Sequence, residues 1–428
     1  MLKTLKFANF KSFANVAVQF GDFNMLIGAN ASGKSNFIQV FRFLRDILNH
    51  GLANAISMQG GVEYLRNIAI ASDQDLSIEF GLEGDMNGPI LRLPSPSPKT
   101  PHIALRTLAL SYSFSLRFRK KGAGFNIGED RLTLKTELFE RPGAESTKHA
   151  QVIARGEIVV SRVSDRSKIN LSFPQEALKY EDSIRRFFSA RYLIDERLPA
   201  RVLLAQELPP FFFHVGRVSR HSIFDVSIYD FDPKLPKRAV PITGKAELEE
   251  DGSNLAIVIK NIIETRESRR KFGNLVKDLL PFVENLEVEK FADKSLLFKL
   301  REKYFPKHFI PASLISDGTI NMTALIVALY FTPAPLTIIE EPERNIHPHL
   351  LSRVVSMMKD AAKAKQIIAT TQNPEVVKHT GMSDLILISR DNNGFSAVCR
   401  PSESSEVCKF LLSEMGIEEL YVKNLLNV

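Results

Sequence analysis

The sequence predicts an α/β fold in which a mixed sheet carries the chemistry, an antiparallel β-lobe adjoins it and a mainly helical insertion interrupts it. Three observations predict this. First, the apolar run Phe23-Asn24-Met25-Leu26-Ile27 leads into Gly28-Ala29-Asn30-Ala31-Ser32-Gly33-Lys34-Ser35, a match to G-x-x-x-x-G-K-[ST]. Apolar Phe37, Val40, Phe41, Leu44 and Leu48 follow at helical spacing, so the motif has the strand–loop–helix context it needs. Second, Leu336-Thr337-Ile338-Ile339 is a buried-type strand that ends in the acids Glu340 and Glu341. Third, alternating segments recur between residues 103 and 173, among them Leu108 to Phe114, Leu132 to Thr136 and Gly156 to Val160. Turn signals at Gly122-Ala123-Gly124 and Arg141-Pro142-Gly143 separate them, which favours an antiparallel sheet.

The glycine-rich loop nearly fixes the ligand. A triphosphate is dense negative charge. Glycines let backbone N–H groups approach its oxygens without side-chain clash, and the helix that follows adds its positive end. Gly28, Asn30, Ser32, Gly33, Lys34, Ser35 and Asn36 are therefore the candidate ATP-binding residues. Lys34 is placed to reach the β- and γ-phosphates as a point charge, and the Ser35 hydroxyl to hold Mg²⁺.

Composition sets wide bounds. The 428 residues are enough for two or three lobes, and 44% hydrophobic with 25% charged residues is ordinary for a globular chain. The longest apolar run in the C-terminal third covers 324–331, too short to cross a bilayer, and the first residues lack a signal-peptide core. Cys399 and Cys408 are the two cysteines, which gives no disulfide framework and no zinc spacing. A cytoplasmic location is the expectation. The net charge of +7 is compatible with a nucleic-acid partner without demonstrating one. The basic groups Arg117, Arg119, Lys120, Lys121 and Arg266, Arg269, Arg270, Lys271 read equally as solvated faces.

Taken in order, Leu5-Lys6-Phe7 and Val16 to Phe20 read as strands before the loop, and Leu76 to Phe80 as one after the first helix. Pro94-Ser95-Pro96-Ser97-Pro98 interrupts the chain. Residues 175–206 and 254–280 read as helical, with Pro209-Pro210-Phe211-Phe212-Phe213 between them as either a buried run or a docking patch. The expected boundaries are 1–175 for the first part of the head, 176–285 for the insertion or lid, and 286–428 for the rest. No internal repeat or sustained heptad pattern appears.

Leu336 to Glu343 has the form of a Walker B segment: Glu340 to organise Mg²⁺ and Glu341 to orient the attacking water. Just upstream, Ser316-Asp317-Gly318 caps an apolar helix, a turn that can bind an anion. The order of P-loop, Ser-x-Gly turn, Walker B and final strand resembles the ABC-type ATPases of the SMC/RecF/OLD class. The opening Leu5-Lys6-Phe7-Ala8-Asn9-Phe10-Lys11-Ser12-Phe13 is similar to the start of that class. Ile228 to Pro233, Asp251 to Ala256 and Gly416 to Tyr421 are similar to its stand-alone OLD-like members of the AAA_21 type, which lack a Toprim nuclease.

That resemblance implies a P-loop NTPase of ABC-ATPase head type, with ATP and Mg²⁺ as cofactors. It implies a homodimer in which Ser316 and Gly318 of one copy meet the γ-phosphate held by Lys34 of the other. Glu341 corresponds to the catalytic glutamate and Glu340 to the Mg²⁺-supporting acid, with Asn345-Ile346-His347 as the dimer-crossing D-loop. His347 and His349 read as a surface turn around Pro348, since no third zinc ligand is suggested. Gln59-Gly60-Gly61 is the Q-loop candidate and also an ordinary loop. Two positions depart from the pattern. Glu340 stands where Asp is usual, and Gln372, in Ala369 to Glu375, stands where a histidine usually senses the γ-phosphate. An amide can orient water but carries no charge, which leaves room for slow turnover and weighs on hydrolysis more than on binding or dimerisation.

The leading functional expectation is an ATP-dependent sensor or scaffold of a bacterial antiphage or toxin-type system, controlling a separate effector. The alternative is a DNA-repair or DNA-clamp ATPase. A nucleotide-binding structural module without useful hydrolysis is a third.

Overall fold

The computed structural model describes residues 1–70, 74–83, 91–93, 102–119, 124–141, 151–192, 197–207, 225–291, 294–403, 417–423 and 425. The proline-serine loop at 94–98, Lys120 and Lys121, Gly122-Ala123, Pro142-Gly143, the 209–213 run, Cys408 and Gly416 lie outside them. Along the chain the strands are β1 (Leu2–Phe10), β2 (Phe13–Gln19), β3 (Phe23–Ile27), β4 (Leu76–Glu83), β5 (Leu91–Arg92), β6 (His102–Phe118), β7 (Phe125–Arg141), β8 (Gln151–Val163) and β9 (Arg166–Ser172). They continue as β10 (Val226–Tyr229), β11 (Val240–Pro241), β12 (Val283–Phe291), β13 (Ser295–Glu302), β14 (Ile310–Pro311), β15 (Leu336–Glu340), β16 (Gln366–Thr371), β17 (Leu385–Arg390) and β18 (Ser396–Cys399).

The chain forms two compact units. One comprises Met1–Phe20, Asn36–Asp225 and Arg390–Val398; the other comprises Gly21–Ser35, Val226–Ser389 and Cys399–Val428. The first unit holds the expected β-lobe, in the order β18-β2-β1-β4-β6-β7-β8-β9 with β5 on β6. Its strands from β2 to β9 are antiparallel, and the long β6–β7 hairpin pairs His102 with Arg141 at one end and Phe118 with Phe125 at the other. Alternation sets its two faces: Leu132, Leu134 and Leu138 are buried while Arg131 and Lys135 are exposed. Phe7, Phe13, Phe20, Phe37 and Phe41 interlock under the sheet, with the Phe7 and Phe13 rings 5.2 Å apart and nearly perpendicular. Buried Asp130 accepts from the Tyr112 hydroxyl at 2.7 Å, from the Leu204 N–H at 2.8 Å and from Arg162 Nε at 3.4 Å. Burial pushes its pKa up to about 6 against the pull of these donors.

The second unit holds the parallel sheet, β10-β15-β16-β3-β17. β3 and β16 are buried at every residue and β15 at four of five, Asn24, Gln366, Thr370 and Thr371 included, as in the interior of a parallel sheet. The Asp317–Tyr330 helix is buried from Thr319 to Leu329, so it is apolar on all sides and packs in the core. A small antiparallel sheet, β11-β13-β12 with β14 on β13, completes the unit.

The span 176–285 does not form one helical body. Residues up to 225 belong to the first unit, and those from 226 to the second. Its β10 pairs in parallel with β15, Ile228 against Ile338, and so extends the parallel sheet. The expected 254–280 helix is two helices, Leu255–Glu264 and Arg266–Leu279, broken at Thr265, whose side chain caps the second by accepting from the Ser268 N–H.

Candidate nucleotide site

The site lies at the carboxyl ends of β3, β15 and β16, where an open parallel sheet presents loops rather than side-chain faces. β3 delivers Gly28. A β-carbon there would fall 2.3 Å from the Ile388 carbonyl oxygen and 2.6 Å from Ser32 Oγ, so the position admits only glycine. The loop then turns through Ala31 at φ 60° and Gly33 at φ 117°, the left-handed conformations that point successive N–H groups into one concavity. Lys34 opens the Lys34–His50 helix. Its ammonium donates to the carbonyls of Gly28 at 2.6 Å and Ala29 at 3.0 Å. Burial lowers its pKa, against the raising influence of Glu341 and Glu343.

β15 delivers the acids. Ser35 Oγ donates to Glu340 Oε2 at 3.2 Å, which brings hydroxyl and carboxylate together as oxygen donors suited to Mg²⁺. Glu341 sits at φ 44°, a left-handed conformation that strains a non-glycine residue. Its N–H is held by the Thr370 carbonyl at 3.1 Å. Its carboxylate accepts from Gln372 Nε2 at 3.1 Å and from Arg344 Nη2 at 3.2 Å, and Arg344 also donates to Asp230 at 2.9 Å.

Ser316 is exposed, and its hydroxyl caps the Asp317–Tyr330 helix by accepting from the Thr319 N–H at 3.3 Å. Gly318 has a packing reason of its own: a β-carbon there would lie 2.5 Å from the Asn345 carbonyl oxygen. Asn321 Nδ2 donates to the Arg344 carbonyl at 2.7 Å, so the Ser-x-Gly helix and the segment after the acids are fastened to each other. His347 and His349 face one another, Nδ1 to Nδ1 at 2.6 Å, and among the described residues no third metal-ligating group joins them.

The second unit contains Gly28, Asn30, Ser32, Gly33, Lys34, Ser35, Ser316, Gly318, Glu340, Glu341 and Gln372. The bond from Ser35 to Glu340 and that from Gln372 to Glu341 join the P-loop, the acids and the β16 end, while Ser316 and Gly318 are held at the start of their own helix. Asn36 and Gln59 belong to the first unit. There Asn36 Nδ2 donates to Ser12 Oγ at 2.9 Å, and buried Gln59 ends the Leu52–Met58 helix ahead of Gly60 and Gly61, both at φ 89°.

Sequence reasoning passed over Glu343. Its side chain is buried; one carboxylate oxygen accepts from Thr371 Oγ1 and the other has no hydrogen-bond partner. Burial pushes its pKa up to about 7. Tyr421, which hydrogen-bonds the Gly28 backbone, lies close enough for Glu343 to raise its pKa alongside burial. The one sequence signal was a third acid after a proline, in Glu340-Glu341-Pro342-Glu343.

Residues 23–378 match the family model described as "AAA domain, putative AbiEii toxin, Type IV TA system". The chain belongs to this family. It is an ATPase of the P-loop type, a kind of protein that binds nucleotide. Among solved structures, an Smc head bound to the C-terminal winged-helix domain of ScpA is similar at 14% identity and TM-score 0.47, over 93% of this chain and 97% of that one. An Smc head with an extended coiled coil, bound to the C-terminal domain of ScpA and derived from Pyrococcus furiosus, aligns at 14% identity and TM-score 0.42, over 96% and 98%. The SMC head domain from Thermotoga maritima aligns at 14% identity and TM-score 0.38, over 93% and 98%. Comparison with curated proteins gives no match. Among the described residues no helix is long and apolar enough to cross a membrane.

Proposed function

We propose that two copies of this ATPase close head to tail around ATP, and that the closure governs a separate effector protein of a toxin-type or antiphage system. The cradle from Gly28 to Ser35 fits a triphosphate, since its glycine cannot bear a side chain and its lysine already answers carbonyl oxygens. Ser35 and Glu340 would hold Mg²⁺, which neutralises phosphate charge when bound. Glu341 would take a proton from the attacking water, and Gln372 and Arg344 orient that carboxylate.

The observation that carries the dimer is Leu314. It is 76% exposed two residues before Ser316, an apolar side chain on the rim of a polar turn. A second copy covering that turn would bury it. The family's description, which names a putative toxin of a type IV system, supports a place in a toxin-type system. The test is the mass of Glu341→Gln in solution with saturating ATP and Mg²⁺. A dimer that reverts on removing nucleotide is expected; a monomer that binds ATP without pairing overturns the reading. For the effector, a stable protein partner in material purified from the native host is expected, with little stimulation of phosphate release by DNA. Strong stimulation by duplex DNA would favour the clamp alternative instead.

A further inference from the structure

We infer that the second unit carries a single-stranded nucleic-acid site, separate from the nucleotide cradle, between the Arg266–Leu279 helix and β12. A cavity of about 250 Å³ lies there, lined by Arg269, Arg270, Gly273, Lys277, Val283 and Asn285 among others. Arg270 and Lys277 are exposed two turns apart on one helix face, and neither has an ion-pair partner among the described residues. Arg269 is oriented by donating from Nε to the Ile263 carbonyl at 2.9 Å. The lining acid, Glu284, is neutralised by Arg301 at 3.0 Å. Asp278 and Glu267 are the other acids on the helix, and on β12 Glu287 accepts from Asn285 Nδ2 at 2.8 Å; against these stand Arg269, Arg270, Lys277 and Arg301.

Gly273 supplies an independent argument. It lies in mid-helix, where glycine weakens the helix relative to alanine. Nothing lies within 4 Å of where its β-carbon would be, so no packing within the chain requires it. A bare backbone in the wall of a cationic cavity suits close approach by a ligand.

An aromatic turn adjoins the β12 wall of this cavity, next to its lining residue Val283. Val283 pairs with Glu302 across the β12–β13 ladder, and the chain then turns through residues 303–308. Lys303 N–H donates to the Phe282 carbonyl at 2.9 Å, and His308 N–H to the Phe305 carbonyl at 3.1 Å. This tied turn leaves Tyr304 75% and Phe305 58% exposed, flanked by exposed Lys303 and Lys307. Cations that take phosphates beside rings that take base faces are the recognition chemistry of an unpaired strand. The cavity is small for a whole nucleotide and suits a backbone phosphate, with the bases left for the rings.

The test is fluorescence anisotropy of the full chain with labelled oligo-dT and oligo-U, against duplex DNA of equal length and poly-glutamate. Both single strands are expected to bind better than duplex or poly-glutamate, weakening about 20-fold between 50 and 200 mM salt for three phosphate contacts. Preference for one of the two assigns the site to DNA or to RNA. Tyr304→Ala is expected to cost about 5- to 150-fold, and Arg270→Ala with Lys277→Ala to flatten the salt dependence. Gly273→Ala decides between structure and binding. It is expected to raise the melting temperature by about 1–3 °C while weakening the strand. The inference is overturned if wild type binds no strand, if duplex or poly-glutamate binds as well as the single strands, or if these variants bind as wild type does.

Discussion

Gln372 holds Glu341 Oε1 at 3.1 Å while Arg344 holds Oε2 at 3.2 Å, so both oxygens of the proposed base are engaged by donors from this chain. Such a carboxylate is oriented, but it is restrained as a proton acceptor until a donor yields. Gln372 adds direction without charge, whereas Arg344 is divided between Glu341 and Asp230 and has an alternative partner to retreat to. Glu341→Gln is expected to lower phosphate release about 10²- to 10⁴-fold and to leave ATP affinity, measured by calorimetry, within a few-fold of wild type. An equal loss of binding and rate would make Glu341 a structural residue.

Glu343 gives the site a pH signature. Its folded-state pKa is raised from 4.5 to about 7, with burial as the main cause. A raised pKa means that the group's contribution to stability is full below its unfolded value and is lost as pH rises through the folded one. Lys34, Glu341, Arg344, Thr371 and Tyr421 face it and set the local field. Glu343→Gln keeps an acceptor for Thr371 and removes the charge. It is therefore expected to match wild type near pH 5 and to exceed it near pH 8, by at most about 3 kcal/mol. Nucleotide-free melting curves at the two pH values check this; a difference that does not change with pH contradicts the assignment.

The sequence made the P-loop and the Walker B strand legible because continuous apolar runs of buried parallel strands are rare and end where chemistry begins. The β-lobe was legible from alternation, as at Leu132, Leu134 and Lys135. β10 was not, because four residues acquire strand identity only by pairing with β15, more than a hundred positions away. Ser316 and Gly318 could be read as a phosphate turn from local pattern. That Gly318 abuts the Asn345 carbonyl is a tertiary contact with no local trace. Glu343 had no reading of its own in the sequence; its side chain is buried against Thr371, on a neighbouring strand.

The Gly318 contact separates packing from phosphate binding. A methyl at this position must displace the Asn345 carbonyl, and Asn345 is itself in a left-handed turn at φ 63°. Gly318→Ala is expected to lose about 1–3 kcal/mol on unfolding without any nucleotide, from overpacking alone. Denaturant melts of the ATP-free protein measure it. Wild-type stability together with failure to dimerise would place the glycine's role in the partner's phosphate rather than in this chain's own packing.

The Ser35–Glu340 bond makes the longer acid testable. Glu340 occupies a position where a shorter carboxylate is usual in the class the sequence resembles, yet its Oε2 reaches the Ser35 hydroxyl at 3.2 Å. The extra methylene therefore still delivers an oxygen to the loop. Ser35→Ala and Glu340→Gln are each expected to raise the Mg²⁺ concentration needed for half-maximal ATP binding, about tenfold or more if each removes roughly 1.4 kcal/mol of metal affinity. Because both side chains answer one cation, the double variant is expected to lose less than the sum of the singles, with a coupling of about 0.5–1.4 kcal/mol. Strict additivity in Mg²⁺ titrations would mean that hydroxyl and carboxylate serve separate sites, and that the bond between them is incidental to metal binding.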